Sequence, residues 1–264
     1  MATVRLLVAT VVLYGAFWVL GEFGSPILST TVGESLLKLT VWLVPSAILV
    51  AVSWRLTPAG ALRELGLMAN PLAGAAVGLA TAIPLLTLSV QSTLLPVSVA
   101  AAVGTAIVGP FAEEVLFRGL LFRQLVLRGG TRPLVAVVIS ALMFGAAHIS
   151  GFFDLSHGRL GYVYDVWPYP KYLVEFGLTA LGGVLFAWMT YRWNSLWPAI
   201  AVHACLNLSW QMTSGAPTIT LFETTMTRLT SVTIACYLTW RFTRNRVHTG
   251  RVRLATPRTN PSPS

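Results

Sequence analysis

The sequence predicts an all-α fold, a polytopic membrane helix bundle of about eight transmembrane helices, and three observations predict it. Of its 264 residues 55% are hydrophobic and only 10% charged; an ordinary soluble domain carries roughly 25% charged residues. Apolar stretches near the roughly 20 residues that cross a bilayer as a helix recur along the chain, parted by short polar joints. Lys and Arg gather in alternate joints, as the positive-inside rule requires of a multi-pass chain. The runs 72–88 and 134–143 do not alternate, which sets aside an outer-membrane barrel with its strands of about ten alternating residues.

The first span is expected over 4–20. It resembles a signal peptide in length, yet the Gly-Glu-Phe-Gly-Ser that follows offers no small-x-small cleavage pattern, so it reads as uncleaved. The second is expected over 36–54. The joint after it, 56–70, contains Arg63-Glu64-Leu65-Gly66-Leu67, a polar-apolar stretch that suits either a surface helix at the interface or a plain loop. Further spans are expected over 71–95, 97–121, 133–149, 172–191, 196–212 and 219–240. The joint 151–170 is rich in Gly, Tyr and Trp, with His157 and Asp165; its aromatic residues fit a headgroup belt.

Eight spans put both termini on one side. Placing that side in the cytoplasm of a plasma or inner membrane leaves Arg5, Arg55, Arg63, Arg123, Arg128, Arg132, Arg192 and the arginines after 240 inside, with only Lys38, Arg159, Lys171 and Arg228 outside. A seven-span count would scatter this asymmetry. The net charge of +9 is therefore no sign of nucleic-acid binding. Arg241, Arg244, Arg246, Arg251, Arg253 and Arg258 lie beyond the last apolar run, where each basic residue is worth about 1 kcal/mol at an anionic leaflet. Cys205 and Cys236 sit within apolar segments and read as small hydrophobes, with no disulfide framework.

A charge at the bilayer centre costs about 2.5 to 3.5 kcal/mol on insertion scales, so charged residues inside spans carry the information. Two of the nine acidic residues stand together at Glu113 and Glu114. Glu114 and Arg118 are one helical turn apart in the favourable order for an ion pair. Glu113 points about 100° away and stays available. The competing reading is a cluster at the helix end with Arg118 and Arg123 snorkelling to the interface. The fifth span carries Phe144-Gly145-Ala146-Ala147-His148, whose small residues let another helix approach. On the seventh, His203 and Asn207 share a face. Hydrolysis of a peptide bond needs an activated water, an acid for the leaving amine and donors for the oxyanion; a carboxylate, two imidazoles and an amide can supply them. Two histidines and a carboxylate are also the ligand types of a catalytic zinc. No His-Glu-x-x-His helix is present, and Ser140 lacks the Gly-x-Ser-x-Gly context of a nucleophile.

Glu113-Glu114-x-x-x-Arg118, Phe144-x-x-x-His148 and His203-x-x-x-Asn207, in this order on successive apolar helices, resemble the CPBP family: CAAX prenyl endopeptidases of the Rce1 type together with bacteriocin-processing and abortive-infection-type membrane proteins. The likeness runs over about 72–210. It implies an intramembrane endopeptidase acting on a peptide or membrane-protein substrate. Glu113 and His148 would activate water, His203 and Asn207 would bind the oxyanion, and Glu114, Arg118 and Phe144 would support them. In a metal-dependent form His148, His203 and Glu113 would hold Zn2+; in a glutamic form they would not, and both forms stay open. The chain then divides into N-terminal spans and an interfacial segment at 1–70, a catalytic core at 71–240 and a basic, disordered cytoplasmic tail at 241–264. A non-catalytic immunity or scaffold protein and a proton-coupled transporter are the rival readings, the latter weakened because the first three spans hold almost no polar residues beyond Lys38. A bis-histidine haem protein would leave Glu113 and Asn207 unexplained. Straight helices also raise a mismatch: at 1.5 Å per residue His148 lies about 22 Å along its span and His203 about 11 Å along its own, so one span must tilt, bend or start deeper.

Overall fold

A computed structural model describes residues 2–23, 31–91, 104–149, 153–154, 159–160, 170–213 and 221–248. The fold is helical. In chain order the helices are α1 Ala2–Phe23, α2 Thr31–Lys38, α3 Val44–Ser53, α4 Pro58–Leu65, α5 Pro71–Gln91, α6 Gly109–Glu114, α7 Gln124–Leu127, α8 Pro133–Ile149, α9 Pro170–Trp193, α10 Trp197–Thr213 and α11 Leu221–His248. Three π-helical segments, Leu39–Leu43, Gly104–Val108 and Val115–Arg123, join α2 to α3 and flank α6 on both sides. The one strand pair among the described residues is Phe153–Asp154 with Arg159–Leu160, antiparallel.

Each expected span coincides with helix, although 92–103, with the expected start of the fourth, lies outside the described residues. Leu36–Ser53 is long and apolar enough to cross a membrane, and Ala2–Phe17, Pro71–Thr87 and Pro133–His148 are shorter apolar helices. Large apolar side chains face outward along the bundle, among them Val52, Leu72, Leu79 and Leu134, whereas Glu114 and Arg118 are fully buried. Apolar side chains thus fill the core and also cover much of the outside, an arrangement that suits lipid as solvent.

The interfacial segment is a helix. Thr57 caps α4 by accepting from the Gly60 N–H at 3.1 Å, Pro58 supplies a preset first turn, and Gly66 ends it at φ 89°, where a side chain would be strained. The joint then props the start of α10: Leu196 N–H donates to the Gly66 carbonyl at 3.0 Å and Trp197 Nε1 to that of Leu67 at 2.8 Å. Leu196 is fully buried, while Leu134 at the start of α8 is exposed. His148 and His203 lie against the same Phe144 ring, their ring centres 4.5 and 5.8 Å from its own, so the mismatch that straight spans would create is absent.

The core runs across residue 70 without a break, joining Leu6, Trp42 and Leu65 to Phe117, Leu121 and Phe144. At the other end α11 continues through Arg241, Arg244 and Arg246 to His248, so the basic segment begins on a helix and not in a disordered tail. The rest of the tail, and His157 and Asp165 in the joint 151–170, lie outside the described residues.

Candidate active site

Four elements meet around the paired glutamates. On α6, Glu113 and Glu114 sit where the backbone passes into the π-helical segment Val115–Arg123; local π geometry shifts side chains off the α-helical face and is frequent at functional sites. The two carboxylates part as their spacing predicts. Glu114 pairs with Arg118 at 3.2 Å, both fully buried, whereas Glu113 is mostly but not wholly covered.

The Glu114–Arg118 pair does more than neutralise itself. Glu114 Oε1 lies 2.9 Å from His203 Nδ1; a carboxylate can only accept, so this nitrogen carries a proton and the imidazole is held in one orientation. Its other nitrogen, Nε2, then points at Glu113 Oε2, 3.8 Å away. Arg118 does not snorkel. Its guanidinium lies 4.0 Å from the Phe144 ring centre and 5.3 Å from that of Phe186, an enclosure in which cation–π attraction offsets part of the cost of burial.

Phe144 organises the two histidines. Its ring centre is 4.5 Å from that of His148 and 5.8 Å from that of His203, edge-on to both. His148 Nδ1 donates to the Phe144 carbonyl at 2.8 Å, one turn back along α8, so in the neutral ring Nε2 is left as an acceptor. Asn207 follows His203 by one turn on α10 and is partly buried. Ser140 donates to the Phe117 carbonyl at 2.9 Å and is buried, a helix-to-helix tie and not a nucleophile.

Two participants escaped the sequence reading. Phe186 on α9 stacks on His203 with ring centres 4.7 Å apart and 16° between planes; nothing marks it in an aromatic-rich span. Lys38, expected on the outer side near a span end, reaches Glu113 Oε1 at 3.4 Å. Its signal was available: a lone lysine within a long apolar run.

His203 Nδ1 and His148 Nδ1 are held by Glu114 and the Phe144 carbonyl, which leaves their Nε2 atoms as the ones that could face a metal or a substrate; Glu113 faces the Lys38 ammonium, and among the described residues no group of three His, Cys, Asp or Glu side chains stands ready as a ligand set.

Residues 94–209 match the family model described as type II CAAX prenyl endopeptidase Rce1-like. The matched region contains all three motifs, and over it the chain is similar to this family. Neither the curated proteins nor the solved structures give a match.

Proposed function

We propose that this Rce1-like chain is a multi-pass intramembrane endopeptidase that hydrolyses a peptide bond with a water activated by Glu113 and His148, without a metal. The observation that carries this reading is His203 held between two carboxylates: Nδ1 on Glu114, backed by Arg118, and Nε2 facing Glu113.

In the mechanism, Glu113 and the Nε2 lone pair of His148 take the proton of a water that attacks the scissile carbonyl. Negative charge then develops on the carbonyl oxygen. His203, protonated on both nitrogens, donates Nε2–H to it, and the Asn207 amide donates beside it; such donors are worth about 10²- to 10³-fold each in kcat. The proton taken from water passes to the leaving amine, which yields a new carboxyl terminus and a new amino terminus. Burial matters because the same dipoles act more strongly where water is excluded.

The peptide or membrane-protein substrate enters from the bilayer, and the basic segment that starts on α11 lies on the anionic cytoplasmic leaflet. The core at 71–240 carries the chemistry while the N-terminal helices close it.

Cleavage of a peptide panel by the purified protein in detergent tests the reading, with His148→Ala and His203→Ala alongside and with a chelator added to the wild type. The expected result is loss of at least about 10²-fold in each variant and unchanged wild-type activity with chelator. Chelator inhibition reversed by zinc would overturn the metal-free mechanism, and full activity in both variants would overturn the enzyme reading.

A further inference from the structure

We infer that Lys38 is a positioning residue for Glu113: its ammonium fixes one carboxylate oxygen and leaves the other turned to His203. The inference rests on Glu113 being the water-activating residue. It is carried by three groups in succession. Lys38 Nζ is 3.4 Å from Glu113 Oε1, and Glu113 Oε2 is 3.8 Å from His203 Nε2. The lysine and the glutamate are both largely covered, so this is not a solvated surface pair.

The ammonium is itself seated. It lies 5.6 Å from the Phe17 ring centre and 5.8 Å from that of Trp42, and Trp42 is fixed in turn by donating Nε1–H to the Leu13 carbonyl at 3.0 Å. Tyr14, stacked on Trp42, donates to the carbonyl of Ala147, the residue before His148. Two N-terminal helices thus bring a cation to Glu113 and touch the backbone beside His148.

The same arrangement disfavours a metal on Glu113. A divalent cation on Glu113 would meet the ammonium of Lys38 across one carboxylate, and like charges that close repel. Lys38 takes the electrostatic place of such an ion and holds the carboxylate in one orientation, which is what a general base requires.

Lys38→Met keeps the aliphatic stem and removes the charge; Lys38→Arg restores a cation. The expected result for Lys38→Met is a fall in kcat of roughly 10- to 100-fold, the scale of a reacting group misplaced by about 1 Å. KM stays within about twofold, and Lys38→Arg recovers most of the loss. A kcat for Lys38→Met within about threefold of wild type, or no recovery in Lys38→Arg, overturns the inference. Should the wild type cleave no peptide, the protease reading is what fails, and the pairing is judged by melting temperatures of Lys38→Met, Glu113→Gln and the double variant. Non-additive shifts support the pairing and additive ones overturn it.

Discussion

His203 is a ring with a different neighbour on every side: Glu114 at Nδ1, Glu113 toward Nε2, Phe186 on its face and Phe144 at its edge. Glu114 therefore has two duties that substitution can separate. Glu114→Ala leaves Arg118 buried and uncompensated, and its expected cost is about 3 to 5 kcal/mol of stability, read as a large drop in melting temperature. Glu114→Gln keeps the shape and removes the charge that holds the Nδ1 proton; its expected effect is a loss in kcat of roughly 10²- to 10⁴-fold with the protein still folded. Kinetics beside thermal unfolding check both. Glu113, Glu114, Arg118, His148 and His203 stood out in the sequence because each is a polar residue inside an apolar run, whereas Phe144 entered only through the resemblance. Lys38 was legible only as an oddity. It is 75 residues from Glu113, and no local spacing can announce a partner that tertiary packing supplies.

Helices, as elements, are written in the hydropathy, and the expected spans over 71–95, 133–149 and 196–212 match α5, α8 and α10 closely. What the hydropathy does not contain is depth. The start of α10 is tied by Leu196 and Trp197 to the joint that precedes α5, and those bonds are tertiary. The π-helical stretches around α6 are equally invisible, because an apolar run tolerates a change of period without leaving a mark. Close approach of α5 to α10 depends on Gly74, where a Cβ would stand 2.5 Å from Trp197 Cβ and 2.7 Å from its carbonyl carbon. Backbone cannot swing aside. Gly74→Val is expected to destabilise by about 1 to 3 kcal/mol or more, and to lower cleavage activity because α10 carries His203. Gly15→Val, which meets nothing within 4 Å, is expected to stay within about 0.5 kcal/mol. Melting temperatures of the two variants in one detergent make the comparison.

For the whole molecule the governing feature is an ion-pair network set in an apolar core, with further apolar side chains facing outward. Buried charges of this kind are tolerated when paired, and here Lys38, Glu113, His203, Glu114 and Arg118 form one chain of charge. The charge asymmetry of the joints predicts both termini in the cytoplasm, so reporter domains fused at either end should be active only when reporting a cytoplasmic position. Opposite locations for the two ends would require an odd number of spans. Activity, however, is the account's centre, and Glu113 is the residue on which it turns. The most direct measurement is the initial rate of peptide cleavage by purified wild type and Glu113→Gln, in the same detergent and with chelator present throughout. The expected result is a wild-type rate that survives the chelator and a Glu113→Gln rate lower by at least about 10²-fold at an unchanged melting temperature. A Glu113→Gln protein that cleaves at the wild-type rate would contradict it.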